Sequence, residues 1–157
     1  MKKITPFLWF NNTAEEAARY YTGIFPDSSI RETRYYSAGA PAPEGSVMSV
    51  TIEIAGQELV AFNGGPGLKF SPAMSMFVTC ESQAEVDDYW EKLSVEGAPQ
   101  QCGWLTDKYG VSWQIVPLAL DRMLKDPDAE KSARVMQALM QMVKLDIATL
   151  ERAYRGE

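Results

Sequence analysis

Two stretches of the chain repeat one another in register, and that repetition limits the fold more than any other feature. Thr13 to Glu16, "TAEE", has the form of a capping box, in which a hydroxyl accepts from the amide of the third helical residue and a glutamate reaches back to the cap. Ala14, Ala17, Ala18, Tyr21 and Phe25 follow at helical spacing until Pro26 and Asp27 stop the stripe. "SQAE" at Ser82 to Glu85 has the same form, and Val86, Tyr89, Trp90 and Leu93 carry a second stripe up to Gly97. Laying Thr13 over Ser82 also matches Glu16 with Glu85, Tyr20 with Tyr89, Tyr21 with Trp90 and Ile24 with Leu93. The strand-like "TPFLWF" then falls on "MSMFVT". The chain is a duplicated module.

Strand-like sequence after each helix completes the module. In the first half, "SIRETRYYS", "SVMSVTIEIAG" and "QELVAFNGG" read as three strands, the last two joined at Gly56 and Gln57. In the second half, "APQQCGWLT" and "GVSWQIVP" are the clear strands, joined through "DKYG". The order predicts β-α-β-β-β twice, an α+β fold of two tandem modules with a mostly antiparallel sheet. The length, 157 residues, suits one domain. Module one spans about 1–68, module two about 69–117, and a helical extension 118–157. The loop "SAGAPAPEG", rich in Pro, Gly and Ala, is expected to be a mobile edge rather than a boundary. In the extension, Leu118 to Leu124 forms a short helix and "DPDAE" breaks it. A stripe of Val135, Ala138, Leu139, Met142 and Val143 comes next, and Asp146 caps a last helix carrying Ile147, Leu150 and Tyr154. Met123, Met136, Met140 and Met142 are expected to fill core gaps, with an adaptable contact surface as the alternative.

Composition removes several function classes. Fifteen basic residues against twenty-one acidic ones leave a net charge of −6, spread along the chain, so nucleic acid is not an expected partner. The apolar run of "MKKITPFLWFNN" is too short for a signal peptide or a membrane span and reads as a first strand. Cys80 and Cys102 form neither a CxxC nor a disulfide framework, so both are expected as free thiols in a reducing cytoplasm. The chain has no histidine, which excludes a Ser-His-Asp triad, a Cys-His pair and any His-bearing metal site. Glu44, Glu53, Glu58 and Asp107 are scattered carboxylates expected at solvated strand or turn positions. "FNGGPG", Phe62 to Gly67, does not open a helix and is expected to be a turn between modules rather than a phosphate loop.

Paired β-α-β-β-β modules with a late "D-x-x-G-x-x-x-[EQ]" strand resemble the vicinal oxygen chelate superfamily of glyoxalase I, bleomycin-resistance proteins and extradiol dioxygenases. "ITPFLWF", "EEAARYYTGIFPDSSI", "FNGGP", "CGWLTDKYGVSWQIVP" and "RVMQALMQMVKLDIATLE" are similar to its PhnB-like subfamily, often labelled 3-demethylubiquinone-9 3-methyltransferase. The resemblance implies a sheet curved into a U, a pocket in its concave face and usually a homodimer. Carried across by register, the metal-ligand positions of the superfamily fall near Thr5, Leu59 or Ala61, Met74 and Gln114. Of these only Gln114 could coordinate well, and one amide oxygen with one hydroxyl does not hold a transition metal. No metal and no cofactor are therefore expected.

Alternation then assigns the concave surface. Phe7 and Trp9 fall with Thr5, Met76 with Met74, Asn63 with Leu59 and Ser112 with Gln114, giving an aromatic, sulfur-lined pocket with two amides. Phe7, Trp9, Asn63, Met76, Ser112 and Gln114 are the candidate ligand-binding residues. Trp104 and Trp113 suit either stacking or core packing, and Trp113 points away from the Gln114 face. Such a pocket suits a protein that holds a small, flattish organic molecule without changing it. The alternatives are a metal-independent lyase or isomerase, the methyltransferase of the label, and an interaction protein that grips a partner through the Met-rich helices.

Overall fold

The computed structural model describes residues 2–157 and divides into two compact units, Met1–Lys69 and Phe70–Glu157. In the first, the elements are β1 (Phe7–Phe10), α1 (Ala14–Ile24), β2 (Ser29–Tyr35), β3 (Val47–Ile54) and β4 (Gln57–Asn63), and the strands order β1-β4-β3-β2. β1 runs parallel to β4, and the other neighbours are antiparallel. The predicted stripe Ala14, Ala17, Ala18, Tyr21 and Phe25 is buried, and α1 packs on β3 and β4. Ala55 and Gly56, both at positive φ (47° and 85°), make the tight turn between β3 and β4 that such a hairpin requires. β2 slips register twice against β3, between Ile30 and Glu32 and between Arg34 and Tyr35.

The two capping boxes behave differently. Ser82 accepts from the Glu85 amide at 3.2 Å, while the Glu85 carboxylate accepts from the Glu81 amide, one residue earlier than the motif predicts. Thr13, by contrast, makes no side-chain cap. Its place is taken by Asn63 at the end of β4, whose Oδ1 accepts from the Ala14 amide at 2.9 Å while its Nδ2 donates to the Val47 carbonyl at 3.1 Å. A buried strand amide, not the local hydroxyl, serves the start of α1.

The second unit repeats the connectivity with β5 (Ser75–Cys80), α2 (Gln83–Ser94), β6 (Ala98–Pro99), β7 (Trp104–Thr106) and β8 (Ser112–Pro117), ordered β5-β8-β7-β6 with β5 parallel to β8. A single 3₁₀ turn, Gln101–Gly103, replaces what the sequence reads as continuous strand, so β6 is only a stub. Asp107, expected at a solvated turn, is 3 % exposed. Its Oδ1 accepts from the Tyr109 and Val111 amides at 2.9 and 3.1 Å, and its Oδ2 from the Trp113 indole N–H at 2.8 Å. The turn folds the carboxylate inward because three donors inside it need an acceptor.

The extension forms α3 (Leu118–Leu124), α4 (Ala129–Leu139) and α5 (Ile147–Arg155) around a core of Val116, Leu120, Met123, Val135, Leu145 and Leu150. Met123 and Met142 pack with that core, as expected, but Met136 and Met140 are exposed. Polar stitches attach the extension to the module. Gln83 donates to the Leu145 carbonyl and accepts from the Ile147 amide, Lys144 pairs with Asp87 at 2.8 Å, and the Cys102 and Gly103 amides donate to the Met142 and Val143 carbonyls. Asp128 caps α4 and Asp146 caps α5, the latter through the Thr149 amide at 2.7 Å.

Three carboxyls on or facing the extension sit below the ordinary aspartate range. Asp87 is lowered mainly by the hydrogen bond from Lys144, Asp126 by that from the Tyr154 hydroxyl, and Asp146 by the Thr149 amide. Each therefore favours the folded extension at pH values above the unfolded pKa of about 3.9, and the contribution is lost as pH falls through the lower folded value. Helicity and protease resistance of the extension should accordingly decline below about pH 4. Tyr154→Phe should flatten part of that acid limb, as read by circular dichroism against pH. An unchanged acid limb in this variant would contradict the assignment of Asp126.

Candidate functional site

In unit one, strand pairing sorts side chains between two faces. Leu8 lies opposite Ala61, which lies opposite Val50; Phe10 lies opposite Asn63, and Ile52 opposite Leu59. Because Asn63 meets the start of α1, this whole set faces the helix. The other face carries Phe7 beside Val60 and Trp9 beside Phe62, with Ser49, Thr51 and Glu58 from the neighbouring positions. Phe62 forms the centre of the aromatic group, its ring 5.7 Å from that of Phe7 and 5.2 Å from that of Trp9, the latter edge-on. Phe7 is 60 % exposed and Trp9 37 % exposed, large apolar areas for a strand face.

Trp9 is nonetheless fixed. Its indole N–H donates to the Gly65 carbonyl at 2.9 Å, and a Cβ built on Gly64 would overlap its ring atoms. Hence the glycines of "FNGGPG": Gly64 gives the indole a bare backbone to lie on, and Gly65, at φ 91°, turns the chain beneath it. No helix comes after that loop before α2, so the loop lacks the amide-lined helix start of a nucleotide site. At the far end of the same face Glu58 accepts from the Lys2 amide at 3.0 Å and from the Thr5 hydroxyl at 3.2 Å. Chiefly the Lys2 bond holds its carboxyl below the usual range.

In unit two, Phe77 pairs with Gln114, which pairs with Trp104, and Ser75 pairs with Ser112, which pairs with Thr106. These six share one face, and Gln114 Nε2 donates to Ser75 Oγ across it at 3.0 Å. The opposite face, with Leu105, Trp113 and Ile115 fully buried, is the one packed under α2. Trp113 thus points away from the Gln114 face, and Trp104 lies on it.

Of the six candidate residues, Phe7 and Trp9 share an open face in unit one, and Ser112 and Gln114 share a face in unit two on which Ser112 is buried and Gln114 half-buried. Asn63 and Met76 are not on those faces. Asn63 belongs under α1, and Met76, paired with Trp113, belongs to the helix side of its sheet. Phe62, Val60 and Glu58 take the place that the sequence assigned to Leu59, Ala61 and Asn63. The charges on Glu53 and Glu58, directly paired across β3 and β4, are the signal that could have told the faces apart, since neither belongs under a helix.

At the positions where the superfamily's metal ligands would fall, the residues present do not fit a transition metal. Among the described residues, no three His, Cys, Asp or Glu side chains gather where they could hold one. Leu59 and Ala61 lie under α1, Met74 precedes β5, and Gln114 and Thr5 offer an amide and a hydroxyl already bonded to Ser75 and Glu58. No described helix is long and apolar enough to cross a membrane.

Comparison with known proteins agrees with this architecture. Residues 2–116 match the family described as 3-demethylubiquinone-9 3-methyltransferase, so the motif beginning at Arg134 lies outside the matched region. A PhnB protein of Bacillus cereus bearing the same methyltransferase label is 39 % identical, with 74 % of this chain and 99 % of that chain covered and a TM-score of 0.68. Protein PA1353 of Pseudomonas aeruginosa, 20 % identical over 74 % of this chain and 98 % of its own, has a TM-score of 0.61. A variant of the fosfomycin resistance protein FosX of Listeria monocytogenes, complexed with Mn(II), is 14 % identical with 72 % and 90 % covered, and at a TM-score of 0.50 it shares the fold alone. No curated protein matches the chain. The chain belongs to the 3-demethylubiquinone-9 3-methyltransferase family, the PhnB-like branch of the vicinal oxygen chelate superfamily.

Proposed function

We propose that this protein binds a small, flat, largely apolar organic molecule on the aromatic face of unit one, without a metal and without transforming it. The observation that carries the reading is the ring group Phe7, Trp9 and Phe62, in which Phe7 and Trp9 are exposed and Trp9 is held in place by Gly64 and Gly65. Fixed rings lose little freedom when a ligand stacks on them, and each aromatic contact adds about 0.5–1.5 kcal/mol beyond burial. The protein works as a homodimer in a reducing cytoplasm, in keeping with its superfamily and its two free cysteines. The methyltransferase label finds no support in the loop after β4, where the glycines serve Trp9.

A screen of small aromatic molecules by tryptophan fluorescence tests this, with Trp9→Ala and Phe62→Ala as controls. Hits should bind the parent and lose about 1–3 kcal/mol, roughly tenfold to a hundredfold, in either variant. Hits that bind both variants like the parent would remove unit one's face as the site. A transition metal that binds equally to Cys102→Ser, with an activity lost on chelation, would overturn the metal-free reading of the pocket. Turnover of a hit would make the protein the lyase or isomerase instead.

A further inference from the structure

The extension places sulfur beside sulfur. Cys102 Sγ lies 3.8 Å from Met140 Sδ, and Met136 stands one turn earlier on α4, on the same side of the helix as Met140. Both methionines are open, Met140 at 58 % and Met136 at 44 % exposure, while Cys102 is half-buried. The pair does not depend on side-chain chance. Cys102 has left-handed backbone (φ 60°), and its amide and that of Gly103 donate to the Met142 and Val143 carbonyls at 2.8 Å, which anchors the segment that follows α4 against the 3₁₀ turn.

From this geometry we infer a binding site for a soft monovalent metal ion, Cu(I) or Ag(I), held by the Cys102 thiolate and the Met140 thioether with Met136 as the third ligand. Thiolate and thioether together select soft cations over Zn(II), Mg(II) or Ca(II). With a metal–sulfur length of about 2.3 Å, two sulfurs 3.8 Å apart subtend about 110° at the metal, an unstrained angle for three sulfur ligands. Met136, exposed and four residues before Met140 on the same side of α4, is the neighbouring thioether that would complete the set. The other thiol does not compete: Cys80 is fully buried and pushed up to about 12, first by that burial. The site joins a residue of the family region, Cys102, to an extension that the family match does not reach. It is independent of the aromatic face and stands or falls separately from it.

The test is a titration of the full-length, reduced protein with Cu(I) under anaerobic conditions against a chromophoric Cu(I) chelator. One equivalent should bind, and X-ray absorption should give sulfur neighbours at about 2.3 Å. Cys102→Ser should abolish that equivalent. Met140→Leu, which conserves volume and so should melt like the parent, should weaken it by roughly tenfold or more, with Met136→Leu weakening it less. Binding that survives Met140→Leu unchanged would reduce the site to an exposed thiol and overturn the inference. So would failure of the parent to compete with the chelator, or an absorption spectrum dominated by oxygen and nitrogen.

Discussion

Replacing Asp107 by alanine should lower the stability of the protein by about 3–5 kcal/mol, a large share of what a domain of this size has. The carboxylate is the common acceptor for the Tyr109 amide, the Val111 amide and the Trp113 indole, with the last two bonds buried and the first part-buried. Truncation removes that acceptor from all three donors, and loss of the partner of a buried donor costs about 1–3 kcal/mol. Asp107→Asn separates the contributions. Its oxygen can still serve both backbone amides, but its NH₂ then meets the indole N–H, donor against donor. That variant should lose about 1–3 kcal/mol. Urea denaturation of the two proteins, monitored by tryptophan fluorescence, checks the order. If Asp107→Ala unfolds at the parent's midpoint, the turn is not what holds Trp113 in place.

Asn63→Ala should cost about 2–4 kcal/mol, through the Ala14 amide and the Val47 carbonyl that lose their partners together. No local cap stands in reserve, because the Thr13 side chain makes no such bond. Asn63→Asp keeps the acceptor, and a negative charge at a helix start is favourable, but it cannot donate to Val47. Its stability should fall between those of the parent and the alanine variant. Thr13→Ala should by contrast change stability by less than about 0.5 kcal/mol, well under the usual effect of removing a cap. A large loss in the threonine variant and a small one in Asn63→Ala would reverse the assignment of the cap.

The fold was legible because its signals are local and doubled. A stripe at helical spacing and a turn rich in glycine each read without knowledge of the rest of the chain, and the second module repeats the helix of the first. Side-chain facing in β4 was not legible. Leu59, Val60 and Ala61 form a continuous apolar run, and all three are buried, so alternation leaves no trace of which face takes the helix. Asn63 looked like a pocket amide for the same reason that it works as a cap, since both duties need an uncharged donor and acceptor at the end of a strand. Met76 was misplaced because the alignment that superposes the two helices is one residue out for the strands before them, so that exposed Phe7 corresponds to Phe77 rather than to Met76. Phe7 and Trp9 were legible because β1 alternates cleanly between exposed and buried. The role of Gly64 was not, because it depends on an indole from a strand distant in sequence. Asp107 likewise resembles any turn aspartate until the Trp113 indole is seen above it.

β2 is an outer strand of its sheet, and it is bent at two places where register slips against β3. Along it Arg31 pairs with Glu53 and Arg34 with Glu32, so charge of both signs lines a rail whose amides and carbonyls do not advance evenly. A foreign strand seeking to extend the sheet there would meet a broken ladder and would have to strip water from the charges flanking it. Fibril growth by strand addition is thus blocked at β2 by shape and hydration together, which leaves the unit free to expose bulky rings on a sheet face without that edge recruiting other chains.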